Sequence, residues 1–159
     1  MLSGPKWFKV VRVIHMLLGE HAHTIDEKSR LTLPAKFRRA FAAGVVLTRG
    51  MEGCVYVYPS EDWHRFVAGR LDELDPLSKE ARQLARFLYS GATETEVDRQ
   101  GRVMVPPALK THAKLERDVV VAGIRDHVEI WDRAAWREQL DEVEGGAELV
   151  AERLAQKRD

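Results

Sequence analysis

Cysteine is almost absent from this chain. Cys54 is the only one in 159 residues, which excludes an intramolecular disulfide and suits a reducing cytoplasm. It stands in an apolar run with Gly53, Val55 and Tyr56 and reads as a small buried hydrophobe, not as a nucleophile. A surplus of charge is missing too. Lys and Arg total 25, as do Asp and Glu, so any nucleic-acid reading must rest on local segregation of charge. Also lacking is an apolar run long enough to span a bilayer. The most apolar opening, 1–18, is interrupted by Lys9, Arg12 and His15 and is followed by no cleavage site, so it reads as an extra strand or a loosely attached extension. Glycine-rich phosphate loops and Ser/His/Asp groupings do not occur. His21 and His23 could form half a metal site, but without Cys, Asp or Glu at ligand spacing they read as a surface pair, and no metal or other cofactor is expected.

What is present is an ordinary globular composition, 45% hydrophobic and 31% charged, enough for one domain or two small intimate ones. Charge is segregated. Lys28, Arg30, Lys36, Arg38 and Arg39 crowd one stretch, whereas 141–159 is rich in acid.

One device is written twice. Asp26-Glu27-Lys28-Ser29-Arg30-Leu31-Thr32-Leu33-Pro34 returns 72 positions later as Asp98-Arg99-Gln100-Gly101-Arg102-Val103-Met104-Val105-Pro106. In each copy an aspartate heads a turn, an arginine ends it, and a short alternating run leads to a proline. The aspartate is expected to order the turn by accepting amide hydrogens. Gly101 can supply a positive φ just before Arg102. The arginine then leaves a rigid strand start, where it can pair back to the aspartate or aim its planar fork at phosphate or guanine.

Around this device the chain reads as α+β. A strand over 21–25 precedes the first turn. After Pro34 a basic helix over 35–43 carries Phe37, Ala40 and Phe41 and ends at Gly44. Val45–Thr48 and Val55–Tyr58 read as a hairpin. A helix opens at Ser60 and runs to about Leu74. Asp75-Pro76 breaks it, and Ser78 caps a second helix whose apolar face is Leu77, Ala81, Leu84, Ala85 and Leu88, stopped by Gly91. The second half repeats the plan with a strand over 92–97, a short helix over 106–113, a hairpin over 119–122 and 128–131, and a helix capped by Asp132. Gly145-Gly146 is expected to interrupt that last helix and leave a charged tail. The expected division is an extension over 1–15, a first repeat over 16–74, a connector over 75–91, a second repeat over 92–144 and a tail over 145–159. A unit of about forty residues buries too little surface to fold alone. The two copies should therefore complete each other about a pseudo-twofold axis, as a small closed or interleaved β-structure with helices outside.

Two aspartates from a duplicated β-unit also suggest a paired-carboxylate hydrolase. Neither Asp26 nor Asp98 is followed by the Thr/Ser-Gly pair such a loop needs, and no catalytic residues are expected.

These residues resemble the MraZ family of bacterial transcriptional regulators, associated with the division and cell wall gene cluster. The resemblance starts at Met16-Leu17-Leu18-Gly19-Glu20, which looks like that family's usual N-terminus and points to Met16 as the natural start. It includes both Asp-x-x-x-Arg turns, Leu47-Thr48-Arg49-Gly50, Ser90-Gly91-Ala92-Thr93-Glu94 and Glu129-Ile130-Trp131-Asp132. It implies two AbrB-like swapped-hairpin units forming a small barrel with peripheral helices, assembled into a closed ring of many subunits. It also implies sequence-specific binding of double-stranded promoter DNA at short direct repeats, by a cytoplasmic, nucleoid-associated, non-catalytic and membrane-free protein. Arg30 is the expected first DNA contact, with Lys28, Lys36, Arg38 and Arg102 beside it and Asp26, Asp98 and Gly101 ordering the turns. Ser29 stands where the family usually has glycine, which should cost about 1 kcal/mol if φ is positive and could misdirect Arg30. The alternative is a ring-forming scaffold whose duplicated turns make subunit contacts.

Overall fold

A computed structural model of the chain describes residues 16–157. The expectations for the extension over 1–15 lie outside the described residues. Eight strands are described: β1 (Leu17–Thr24), β2 (Arg30–Thr32), β3 (Val45–Arg49), β4 (Val55–Pro59), β5 (Thr93–Thr95), β6 (Arg102–Met104), β7 (Asp118–Arg125) and β8 (Val128–Asp132). Six form an antiparallel sheet in the order β1-β7-β8-β4-β3-β5, and β2 pairs with β6 in a separate two-stranded ribbon.

The order shows how the two halves depend on each other. The β3–β4 and β7–β8 hairpins are local, but β1 of the first half pairs with β7 of the second, and β5 of the second pairs with β3 of the first. Pairing across the halves is symmetric. Leu31 lies opposite Val103 in the ribbon, and these are the same position of the 72-residue repeat. Tyr56 lies opposite Glu129 where β4 meets β8, and these are equivalent at an offset of 73. A pseudo-twofold axis passes through both pairs.

The core is the product of this exchange. Leu31, Leu33, Phe37, Phe41, Val45, Leu47, Val55 and Val57 of the first half pack in one cluster with Val103, Val105, Leu109, Val119, Val121, Val128 and Ile130 of the second. Each such side chain contributes about 1.5–3 kcal/mol by burial, so separating the halves would expose much of the favourable free energy. A second cluster, Val46, Tyr58, Trp63 and Leu88, seats helices on the outer face of β3 and β4.

Those helices are α1, which spans 60–72 with a π-helical stretch at Trp63–Ala68, and α2 (Lys79–Ser90), whose N-cap Ser78 accepts the Ala81 amide as its sequence suggests. The inner face of α2 begins at Ala81. Leu77, expected on it, precedes the helix and is 85% exposed. Two further helices follow, α3 (Pro107–Ala113) and α4 (Arg133–Gln156), the latter capped by Asp132 through the Ala135 amide.

Three expectations are corrected. The strand expected over 21–25 is longer and earlier, because pairing with β7 extends it from Leu17 to Thr24. The basic segment after Pro34 is a 3-10 turn, Ala35–Phe41, not an α-helix; it still buries Phe37 and Phe41. The last helix is not interrupted at Gly145-Gly146 but runs through to Gln156. Two glycines cost about 1 kcal/mol each, and the Ala, Leu and Glu residues around them carry the helix across.

Candidate nucleic-acid interface

The first turn is held by its own aspartate. Asp26 Oδ1 accepts the amides of Lys28 and Arg30, each at 2.9 Å, and Oδ2 accepts Arg30 Nε at 2.8 Å. The Ser29 amide donates to the Asp26 carbonyl at 3.0 Å. The second turn repeats this bond for bond. Asp98 Oδ1 accepts Gln100 and Arg102 amides at 2.9 Å, and Oδ2 accepts Arg102 Nε at 2.7 Å. Accepting the arginine's amide holds both carboxylates below the usual range; desolvation opposes this, and the guanidinium and one more amide add to the lowering. The acids therefore stay ionised and their work is orientation.

Both turns need one residue in the left-handed region. Gly101 has φ 80° and Ser29 has φ 62°. Serine therefore adopts the conformation that favours glycine, and it does not misdirect Arg30, whose bonds match those of Arg102.

Each arginine spends only its Nε on the aspartate. Among the described residues, the Nη groups of Arg30 and Arg102 have no hydrogen-bond partner, and each side chain is 28% exposed. Ribbon register brings the two together. Arg30 pairs with Met104 and Thr32 with Arg102, so these four share the outer face, while Leu31 and Val103 are fully buried beneath.

The turns also brace each other across the axis. Leu33 N donates to Gly101 O at 2.9 Å and Val105 N to Ser29 O at 2.8 Å. Lys110 Nζ donates to Ser29 Oγ at 3.0 Å. Arg38, the equivalent of Lys110, instead donates from Nε to Leu33 O at 3.2 Å and lies over Gly101, where a Cβ would collide with that nitrogen. Arg38, read from sequence only as a basic contact, thus also joins the two halves, though its side chain remains largely exposed.

Of the other expected residues, Lys28 is exposed on the first turn. Lys36 Nζ lies 5.5 Å from the Phe37 ring centre and is near Gly19 of β1. Arg99 is exposed at the place that Glu27 holds in the first turn. Lys110 and Lys114 line a groove with Ser29 and Thr111. Sequence reasoning did not assign Arg99, Lys110 or Lys114, although the 72-residue offset maps Arg38 directly onto Lys110.

Elsewhere, apparent candidates are structural. Arg49 caps the end of α2, with Nη1 donating to Phe87 O at 2.9 Å and Ser90 Oγ at 3.0 Å, and Thr48 Oγ1 donates to Leu88 O at 2.6 Å. Cys54 is buried, and desolvation followed by nearby Glu129 and Glu52 raises its pKa, leaving the thiol inert. His21 and His23, expected as a surface pair, are half-buried, and the His21 ring packs edge-on against Phe37 at 5.2 Å. Among the described residues no cluster of three or more His, Cys, Asp or Glu is placed to hold a metal, and no helix is long and apolar enough to cross a membrane.

The duplication in the geometry has a counterpart in comparisons with known proteins. A family model described as "MraZ protein, putative antitoxin-like" matches twice, at residues 16–87 and 88–158. A Ligilactobacillus salivarius protein named "Transcriptional regulator MraZ" is 43% identical over 139 residues, 87% of this chain and 96% of its own length. Proteins of that name from Moorella thermoacetica, 42% identical, and Lactiplantibacillus plantarum, 43% identical, align over the same 87% of this chain and over 96% and 98% of their own lengths. The name they share is that of a regulator and not of an enzyme. With both halves matched by its model, the chain belongs to the MraZ family.

Proposed function

We propose that this chain is a sequence-specific DNA-binding transcriptional regulator that acts without catalysis. The single observation that carries the reading is the ribbon's outer face, where two arginines are pinned by Nε with their Nη groups free, placed diagonally across the axis. A two-stranded ribbon fits the major groove, and an arginine fork matches O6 and N7 of guanine. Lys28, Lys36 and Arg38 flank the face for phosphate contact, joined by Arg99, Lys110 and Lys114. The regulator name of the relatives supports the same reading.

The finer parts of the reading rest on the family resemblance. They are short direct repeats ahead of the division and cell wall cluster, AbrB-like swapped hairpins closing into a small barrel, residues 16–74 and 92–144 as the repeats with 75–91 between them, and a closed ring working at the nucleoid. A ring explains how a neutral chain can bind a polyanion. Several weak units meeting several repeats gain roughly 10² to 10⁴ in avidity.

The test is binding of the purified protein to duplex DNA from upstream of its own coding region, with mass measured in the same sample. Arg30→Ala should weaken binding at least roughly fivefold per site, the low end for one bidentate base contact, with the mass unchanged. Unchanged affinity would sink the reading, and a changed mass would favour the scaffold alternative.

A further inference from the structure

The ribbon's axis passes through the Leu31–Val103 pair, yet the outer face is not symmetric about it. Arg30 and Arg102 are equivalent in position and in their bonds. The remaining outward positions hold Thr32 and Met104, which are also equivalent at the offset of 72 but differ in chemistry. Each arginine therefore has a different neighbour across the ladder. Beside Arg30 is the Met104 thioether, 50% exposed, and beside Arg102 is the short, half-buried Thr32. Directly opposite Cβ atoms lie about 4.5–5.5 Å apart, not far above the rise of about 3.4 Å between base pairs. A neighbour at that distance meets the base pair next to the one its arginine reads.

We propose that Thr32 and Met104 give the ribbon a direction on DNA, Met104 selecting the base pair beside the guanine of Arg30 and Thr32 the one beside the guanine of Arg102. This rests on the DNA-binding reading above. With the same residue in both places, the face would look alike after a half turn, and its preferred site would be a palindrome. Methionine has no donor and adapts to apolar surface, so its base pair is one that presents the thymine methyl. Threonine can donate, accept or offer its methyl and tolerates several bases. The turns differ as well, with Lys28 against Gln100 and Glu27 against Arg99, but the cations among them are assigned to phosphate, and such contacts carry no sequence information. Units that all face one way around a ring can meet direct repeats only if each distinguishes the two directions.

The experiment is selection from duplex DNA with a randomised core, using the full chain and the variants Met104→Thr and Thr32→Met. Each variant makes the outer face alike on both strands, and the melting temperature of each is checked against the unaltered protein. The unaltered protein should enrich a non-palindromic element per unit and prefer it at least roughly fivefold, the low end for one mismatched base pair, over palindromes built from either half. Met104→Thr should instead prefer the palindrome built from the Arg102 half, and Thr32→Met the one built from the Arg30 half. A variant that melts normally but enriches the original element, or nothing, overturns the inference while leaving DNA binding intact. No enrichment by the unaltered protein overturns both.

Discussion

Lys110 donates from Nζ to the Ser29 hydroxyl at 3.0 Å, whereas its equivalent, Arg38, covers Gly101. The two sites are alternative solutions to one problem. A glycine turn leaves room for an arginine to lie flat, and a serine turn fills that room and recruits a lysine. Ser29→Gly should therefore change stability by less than about 1 kcal/mol, because relief of the left-handed strain offsets the lost hydrogen bond. Gly101→Ser should destabilise by about 1–2 kcal/mol, since it adds that strain and pushes Arg38 off Leu33 O. Adding Arg38→Lys should recover part of the loss. Thermal melts of these variants and of Arg38→Lys alone decide, and additivity of Gly101→Ser with Arg38→Lys would refute the coupling.

Base and phosphate contacts separate by salt. Arg30→Ala should relax sequence preference with little change in the salt slope if, as proposed, its fork meets bases. Lys28→Ala and Lys36→Ala should each lower the slope by about 0.9 while weakening all sequences alike. Titrations at several salt concentrations on specific and scrambled duplexes test the assignment, and a full unit of slope lost with Arg30 would move it to phosphate.

His127 makes stability depend on pH. It is buried against Tyr58, whose ring stacks on it at 4.6 Å. Asp126 Oδ1 lies 2.7 Å from its Nδ1, and Glu129 Oε2 a longer 3.5 Å from its Nε2. Burial favours the neutral ring, but the two acids outweigh it and raise the pKa above the ordinary 6.5. A group that titrates higher when folded contributes fully below the unfolded value and loses that contribution as pH rises through the folded one. Melting temperature should therefore decline from about pH 6.5 upward across that interval, and His127→Gln should flatten this limb. An NMR titration placing His127 below its ordinary value would contradict the prediction.

The end of α4 carries an apolar row. Trp136, Leu140, Val143, Ala147, Val150 and Leu154 recur at alternating spacings of four and three, the pattern of a helix seam. The first two are half-buried, but Val143, Val150 and Leu154 are 51%, 50% and 59% exposed. If this seam joins subunits, Val150→Glu with Leu154→Glu should reduce the assembled mass while leaving the circular dichroism of the chain unchanged. An unaltered mass would place the subunit contacts elsewhere.

Much of the candidate site was legible because its chemistry is local. An aspartate that accepts amides two and four residues on, and an arginine at the same reach, need only a tight turn, so Asp26–Arg30 and Asp98–Arg102 announce themselves in the chain. The caps at Ser78 and Asp132 are legible for the same reason. Arg38 was half legible, because its charge shows in the sequence but its seat over Gly101 does not. The continuity of α4 through Gly145-Gly146 was misread, since two costly residues do not outweigh the strong helix formers around them.

By itself the sequence determined that one turn is made twice, 72 residues apart, each time followed by a short alternating run and a proline. Only the tertiary structure decided that β1 joins β7, that β5 joins β3, and that both arginines share one ribbon face. Strands some fifty to a hundred residues apart in the chain leave no local signature of their partner. What selects the pairing is joint burial, since each half alone leaves an apolar face uncovered that the other covers.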